Sequence, residues 1–338
     1  MILYKLKFHF LFILFFLTVS NSLGQDAHFS QFYANPLYLN PAFAGTEICP
    51  RFTFNFRDQW PVIPNNFLAF SASYDQHINA LHGGIGVLVS ADIEGGGLYQ
   101  AYNAGAIYNF SVRISKQFYL QFALQAGYLH KAFNRNLLFA SELSPDPVPE
   151  TLPEDHATKS DFDANFGFVG YSPYLYFGVA AHHLIPPKQK GFFTSLTDTA
   201  KTKPKITAHI GGKIPIVQKV KNEETFGDIY IYPNVVFISQ GKFHYLHEGF
   251  YIKFHPLTIG ASLRHNFENL DAFIISCGLE YKFFRIGYSY DFNLTKLEGT
   301  GGAHEVSLQF IIPCSYEQKS KKVQKKGRAY IPVSCPKF

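Results

Sequence analysis

In this 338-residue chain, two pairs of histidines have residue types and a spacing that suggest metal binding. His182 directly precedes His183, and His244 stands three residues before His247. Imidazole nitrogens bind zinc, but a zinc site needs about four converging ligands, and the sequence identifies none that would complete either pair. We therefore interpret these histidines as exposed loop residues rather than as metal ligands.

Two glycine-rich stretches and three acidic residues are the remaining candidates for a reactive site. Gly83-Gly84-Ile85-Gly86 and Gly95-Gly96-Gly97 lack the helix that must follow a phosphate-binding loop, so we interpret them as tight turns and strand glycines. The sequence identifies no paired acid for Asp92, Glu94 or Asp163. We therefore expect a protein that is not an enzyme and that uses no cofactor or metal.

The first 24 residues have the features of a signal peptide. Lys5 and Lys7 precede an apolar run from Phe8 to Leu17, and small residues follow at Ser22-Leu23-Gly24. The alternative is a transmembrane anchor, but a helix that crosses a bilayer needs about twenty apolar residues. We expect residues 1–24 to be removed on export, which leaves Gln25 as the new N-terminus.

The composition of the remaining chain favours a membrane wall that is built from strands. No long apolar segment follows residue 24, so a spanning helix is not expected. Aromatic residues make up 17% of the chain and charged residues 16%, whereas soluble proteins carry about a quarter charged residues. Few charges and many Phe and Tyr residues are typical of barrels that face lipid.

Apolar and polar residues alternate along most of the chain. Between Phe118 and Tyr128, even-numbered positions are apolar, and odd-numbered positions are mostly small or polar. Successive strand residues point to opposite faces, so this pattern predicts strands with one apolar face. About fourteen such runs lie near 51–58, 67–75, 83–90, 99–110, 117–129, 161–170, 173–182, 204–213, 228–239, 247–254, 256–265, 271–281, 284–291 and 303–312.

A soluble secreted β-sandwich or jelly roll is the alternative fold for these strands. Its outer faces would carry Lys, Glu and Asp, whereas the polar face here consists of Gly, Ser, Asn and Gln. We therefore predict an all-β fold, a single transmembrane antiparallel β-barrel of about fourteen strands over residues 51–313. With a periplasmic N-terminus, the long connections 130–160 and 183–203 face outward, and 214–227 is either a long periplasmic turn or a miscounted strand.

The segment before the first strand combines turns with apolar residues. Each proline in the pairs Asn35-Pro36 and Asn40-Pro41 fixes its own backbone and keeps the preceding residue out of the helical region, so a central strand is not expected here. Phe29, Phe32, Leu37 and other apolar residues must still pack against something. We predict that residues 25–50 lie in or across the periplasmic mouth of the barrel as a partial plug.

Several motifs resemble the PorP/SprF family of the Bacteroidetes type IX secretion and gliding machinery. The opening of that family is similar to residues 25–46, with their FSQ triplet, two Asn-Pro pairs and a closing NPAxAG. The C-terminus Cys335-Pro336-Lys337-Phe338 is similar to the ending of SprF-like members. Between these two ends, further matches occur in the same order as in the family. They lie at Arg57-Asp58-Gln59-Trp60, Gly83-Gly84-Ile85-Gly86 with Asp92, Tyr288-Ser289-Tyr290-Asp291 and Gly302-Ala303-His304-Glu305-Val306-Ser307-Leu308.

The resemblance implies a non-catalytic component of the bacterial outer membrane. Such a protein would dock or anchor a secreted cargo with a type B C-terminal sorting domain and contact the periplasmic ring of the machinery. The alternative is an outer-membrane channel for small or apolar solutes. In either case, we expect outer-membrane lipid to surround the barrel, and we do not expect nucleic acid as a partner. Residues that carry the family motif, with no role assigned, are Phe29, Ser30, Gln31, Asn35, Pro36, Asn40, Pro41 and Gly45.

Residues 314–338 form a basic periplasmic tail in this interpretation. The tail is either solvated or docked to a protein partner, and its candidate docking residues are basic. The four cysteines of this exported chain allow several disulfide pairings, and one hypothesis joins Cys314 to Cys335, which would fold the tail back on the barrel rim. The candidate docking residues are Lys321, Lys322, Lys325, Lys326 and Arg328, and the two other cysteines are Cys49 and Cys277.

Overall fold

A computed structural model describes residues 25–134, 156–185, 202–217, 229–295 and 298–314. The expected signal peptide, the basic residues of the tail and Cys335 lie outside these residues. No helix within the described ranges is both long and apolar enough to cross a membrane.

The described residues form one closed antiparallel sheet, as the alternation predicts. β15 pairs with β1 from Gln59↔Ala303 to Arg51↔Ile311, which closes the barrel. β8 and β9 both pair with β10 and act as one barrel strand interrupted at Lys213, so the barrel has fourteen strands. The elements are β1 Arg51–Gln59, β2 Phe67–Ile78, β3 Gly83–Glu94, β4 Tyr99–Arg113, β5 Tyr119–Asn134, β6 His156–Tyr171, β7 Leu175–His182, β8 Lys205–Gly212, β9 Ile214–Val217, β10 Ile229–Gln240, β11 Phe243–Phe254, β12 Leu257–His265, β13 Leu270–Tyr281, β14 Phe284–Asn293 and β15 Ala303–Ile311.

The alternation of β1 shows how each strand divides its side chains between the two faces of the wall. Thr53 and Arg57 are buried on the inner face, whereas Phe54 and Phe56 are exposed on the outer face. An outer surface of aromatic and aliphatic side chains suits a wall in lipid, and a polar inner surface suits an enclosed lumen. In the stretch 214–227, which we expected to be a long turn or a miscounted strand, the first four residues form β9, which continues β8.

The two ends of the barrel differ in the length of their connections. We call the end where β1 begins and β15 ends the disulfide end, because Cys49 and Cys314 are bonded there. Connections at this end include the two residues His255–Pro256 and the two residues Lys282–Phe283. The strand ends that flank the longest connections, 135–155 and 183–204, lie at the opposite end. Long connections usually face the cell exterior, so the opposite end remains our prediction for the outward side.

Residues 25–50 lie inside the barrel and form short helical turns. A 3₁₀ turn covers Phe32–Ala34, a single α-helical turn covers Pro36–Leu39, and a second 3₁₀ turn covers Pro41–Phe43. Both prolines stand at first helical positions, where no backbone N–H is needed. The segment, which we call the lumen segment, runs from the disulfide end to Asp26, which contacts the first residue of β8 at the opposite end. It therefore fills more of the lumen than the plug at the mouth that we predicted.

The disulfide differs from the predicted pairing. Cys314 is bonded to Cys49, at a Cα–Cα distance of 5.5 Å and a sequence separation of 265, so the hypothesis that joins Cys314 to Cys335 is wrong. Pairing of β1 with β15 brings the residues that flank these strands together, which the linear sequence does not reveal. Cys277 is an exposed free thiol.

Peptide mapping of the unreduced protein tests this pairing. We expect a linked peptide pair that contains Cys49 and Cys314, with Cys277 alkylated as a free thiol. Cys49→Ser should lower the free energy of unfolding by about 2–5 kcal/mol, because the bond closes a long loop in the unfolded chain. A linked peptide that joins Cys314 to Cys335 would contradict the structure.

Candidate functional site

Four charged side chains meet inside the barrel wall and form a cluster that we call the charged cluster. Arg57, Arg264, Asp291 and Glu305 are each at most 3% exposed. Arg57 Nη2 lies 2.9 Å from Asp291 Oδ2, and Arg57 Nη1 lies 3.3 Å from Glu305 Oε2. Arg264 Nη1 also contacts Asp291 Oδ2, at 3.0 Å. Buried charges are tolerated only when they are paired, and here two cations face two carboxylates.

Ser30 of the lumen segment lies on the charged cluster. Its backbone N–H donates to Glu305 Oε2 at 2.8 Å, and its hydroxyl donates to Asp291 Oδ2 at 2.6 Å. Arg57 and Arg264 each donate to the Ser30 hydroxyl oxygen, at 2.9 and 3.0 Å. One serine side chain therefore contacts both arginines and one acid of the charged cluster.

Gln31 continues this contact with the wall. Its backbone N–H donates to Glu305 Oε1 at 2.9 Å, so a single carboxylate accepts two successive N–H groups. Its side-chain amide nitrogen donates to the Glu305 carbonyl and to Ser289 Oγ, and its amide oxygen accepts from Ser307 Oγ at 2.7 Å. The Gln31 side chain is completely buried and fully engaged.

A glycine in β14 makes room for this amide. A Cβ atom at Gly287 would lie 2.6 Å from Gln31 Oε1 and 2.5 Å from Ser307 Oγ. Contacts this short would displace both atoms, so the close approach requires glycine.

Asn40 ties the middle of the lumen segment to β6 and β7. Its side-chain oxygen accepts from Ala42 N–H at 2.9 Å and so caps the second 3₁₀ turn. Its amide nitrogen donates to the carbonyls of Phe168 and Val179, at 3.0 and 3.2 Å. Asn35 accepts a hydrogen bond from Ser71 Oγ at 3.2 Å. Both Asn-Pro pairs thus combine a turn with a contact to the wall.

Gly45 holds the segment near the disulfide end. Its φ of +72° favours glycine, and its N–H donates to Asp75 Oδ2 at 2.8 Å. Arg51 pairs with the same carboxylate, with Nε 2.7 Å from Asp75 Oδ1. A Cβ atom on Gly45 would lie 2.5 Å from the Cα atom of Gly84. The glycine stretch that begins at residue 83 therefore allows the close approach of strand and segment.

At the opposite end, Asp26 anchors the start of the segment. Asp26 Oδ2 lies 2.9 Å from both His183 Nε2 and Lys205 Nζ. His183 Nδ1 lies 2.8 Å from Asp163 Oδ2. Burial alone would lower the pKa of His183, but the carboxylates of Asp26 and Asp163 outweigh burial and raise its pKa to about 9. His183 is therefore positively charged at neutral pH.

The structure corrects the interpretation of the histidines as exposed loop residues. His182, His183 and His247 are at most 5% exposed, and His247 contacts Ser262 Oγ at 2.8 Å. His244 is exposed, as predicted. Position at a strand end does not imply exposure here, because the lumen segment covers the inner face of the wall. Within the described ranges, no group of three or more His, Cys, Asp or Glu side chains is arranged so that it could hold a metal ion.

All eight family-motif residues lie within the lumen segment, and all eight are buried. Phe29 is 7% exposed and packs edge-to-face on Tyr38, with ring centroids 5.1 Å apart. The sequence alone assigned these residues no partner, and the charged cluster was not predicted. Charged residues on the inward parity of predicted strands, such as Arg57 and Glu305, were the available signal. The candidate tail residues from Lys321 to Arg328 lie outside the described residues.

Comparison with known proteins identifies a family. The family described as "Type IX secretion system membrane protein PorP/SprF" matches residues 21–310. No curated protein matches this chain. Similar solved structures include the toluene transporter TbuX of Ralstonia pickettii, at 9% identity over 83% of this chain and 94% of that chain, with a TM-score of 0.46. Another is Omp33 of Acinetobacter baumannii, at 8% identity over 79% of this chain and 100% of that chain, with a TM-score of 0.41.

Removal of one arginine from the charged cluster should release the lumen segment. Arg57→Met leaves Asp291 and Glu305 without that partner, and breaking a buried ion pair costs about 3–5 kcal/mol. We expect faster proteolysis within residues 25–31 of the membrane-embedded protein than in the unaltered protein. Arg113→Met, which removes an exposed arginine at the disulfide end, is the matched control and should leave the rate unchanged. Equal resistance of both variants would show that the charged cluster does not hold the segment.

The anchor at Asp26 should weaken as the pH rises. Histidine in an unfolded chain has a pKa of about 6.5. Because the folded pKa is higher, the stabilisation by His183 is complete below that value and is lost as the pH rises through about 9. Proteolysis at residues 25–28 should therefore accelerate between about pH 7 and about pH 9.5.

His183→Asn is the control for this pH dependence, since asparagine tolerates the positive φ of 58° at this position. The variant should be cut at similar rates at both pH values, after correction for the intrinsic activity of the protease. A pH response as strong as that of the unaltered protein would exclude His183 as its source.

Proposed function

The chain belongs to the PorP/SprF family of type IX secretion system membrane proteins, and from this premise we propose that it docks or anchors one cognate secreted protein. The protein is an outer-membrane β-barrel of that family. In our proposal its role is non-catalytic, and its cargo carries a type B C-terminal sorting domain.

The observation that supports docking most strongly is the occupied lumen. The lumen segment is bonded to the wall near the disulfide end through Gly45, in its middle through Asn40, and towards the opposite end through Ser30, Gln31 and finally Asp26. A solute that passes through the barrel would have to displace these contacts. A secreted protein that docks on the rim or on the long connections would not.

The two ends of the barrel suit different partners in this proposal. The opposite end, with connections 135–155 and 183–204, would meet the cargo outside the cell. The disulfide end would face the periplasmic ring of the machinery, and the basic tail beyond Cys314 starts there. Charged, solvated tails of this kind commonly bind protein partners through electrostatic attraction.

Affinity purification from the native outer membrane tests the proposal. We expect one large exported protein to co-purify with the tagged barrel and to be missing from a purification of an unrelated barrel from the same membrane. The isolated barrel should show no solute-specific conductance in a planar bilayer, because the lumen segment occupies its interior. Deletion of the gene should leave the cognate protein undisplayed at the cell surface.

Correct display of every surface protein after deletion would contradict the docking role. Specific conductance for a small solute, without a co-purifying protein, would instead support the channel.

A further inference from the structure

The barrel wall steps down between β6 and β7 at the opposite end. β6 pairs with β5 along its whole length, from Tyr119↔Tyr171 to Asn134↔His156. It pairs with β7 only from Phe166↔Ala181 to Tyr171↔Tyr176. β7 ends at His182, and the chain turns into the lumen at His183, whose φ is +58°. Among the described residues, no strand pairs with the other side of residues 156–165.

The hydrogen-bonding groups on this open side can be assigned from one contact. Leu184 N–H donates to the Ala164 carbonyl at 2.9 Å, so Ala164 faces the β7 side. In antiparallel pairing, the N–H and C=O of one residue point to the same side, and successive residues alternate. Thr158, Ser160 and Phe162 therefore direct their backbone groups to the open side, and the residues between them are bonded to β5.

This open edge must lie outside the hydrocarbon of the membrane. Unpaired backbone groups cannot remain in lipid, because nothing there can accept or donate their hydrogen bonds. In water, such an edge is a template for an added strand. The longest connections, 135–155 and 183–204, begin or end beside it, at the end that we predict to face outward.

The side chains along the edge differ between its two faces. On the outer face, Phe162 is 77% exposed and contacts Tyr128 edge-to-face, with ring centroids 6.2 Å apart. On the inner face stand Lys159, Asp161 and Asp163, which are one cation and two acids. Lys159 Nζ lies 3.9 Å from Asp161 Oδ2, and Asp163 is already paired with His183. Lys131 of β5 lies beside Lys159 on the same inner face, so the inner face carries paired charges of both signs, and the outer face is aromatic.

We propose that residues 158–162 of β6 receive a β-strand of the secreted partner. The added strand would place an apolar side chain beside Phe162 and a neutral polar side chain beside Asp161, which already contacts Lys159. The inference rests on the proposed docking function and names the surface that performs it. Main-chain hydrogen bonds to Thr158, Ser160 and Phe162 would supply affinity, and the alternation of apolar and polar side chains would supply selectivity.

A proline at Ser160 tests the edge without disturbing the pairing of β6 with β5. Ser160→Pro removes an N–H that faces the open side, and proline is tolerated on edge strands in that orientation. Ser160→Ala is the matched control, because it also removes the contact between Ser160 Oγ and His130 Nδ1, which are 2.8 Å apart, but keeps the N–H. In the native host, we expect about tenfold less partner to co-purify with Ser160→Pro and an unchanged amount with Ser160→Ala.

The outcomes separate this inference from the proposed function. If the unaltered barrel retains a partner and Ser160→Pro retains as much, the edge is not the docking surface, although the docking function stands. If the unaltered barrel retains no exported protein, the docking function itself fails. Unchanged mobility of unheated samples in gel electrophoresis shows that each variant still folds as a barrel.

Amide hydrogen exchange of the unaltered barrel in lipid nanodiscs gives a test that needs no variant. Without a partner, the amides of Thr158, Ser160 and Phe162 should exchange rapidly, whereas those of Lys159 and Asp161 should be protected by β5. Protection of all five amides would mean that another segment of this chain already covers the edge, and would overturn the inference. Addition of the purified partner should slow exchange at the three open positions.

Discussion

The architecture depends on the pairing of charges that are buried inside the barrel. Arg57, Arg264, Asp291 and Glu305 have no access to bulk water, and an unpaired charge in such a place would be costly. Strand pairing brings these residues from β1, β12, β14 and β15 to one part of the wall. Ser30 and Gln31 complete their hydrogen bonding, so the charges determine where this part of the lumen segment lies.

The two faces of the barrel wall suit different surroundings, lipid on the outside and polar groups on the inside. Its outer face carries Phe54, Phe56 and similar side chains, and its inner face carries hydroxyl, amide and charged groups. A polar inner face would usually form hydrogen bonds with water in the lumen. Here it forms them with backbone N–H and carbonyl groups of the lumen segment. The short helical turns around Pro36 and Pro41 leave several such groups free of local bonds, and Asn40 and Asn109 use them. The segment is therefore folded by the wall as much as by its own sequence.

The fold follows from sequence far better than the site does. Strand positions depend on local alternation, and β1, β2, β4 and β10 begin within one residue of the predicted runs. Partners inside the lumen depend on register around a closed barrel, where Ser30 meets Glu305 across 275 positions. No local pattern encodes that register. The family motif includes Ser30 and Gln31, yet their contacts with Asp291 and Glu305 emerged only from the closed sheet.

The bond between Ser30 and Glu305 joins the lumen segment to β15. The lumen segment precedes every strand of the barrel in the sequence, yet it can reach its final place only after β15 is in position. Until then, Ser30 and Gln31 lack part of the surface that they bind. A chain that is truncated before β14 and β15 therefore cannot bind its lumen segment through these two residues. Docking of the lumen segment through Ser30 and Gln31 thus depends on a complete barrel.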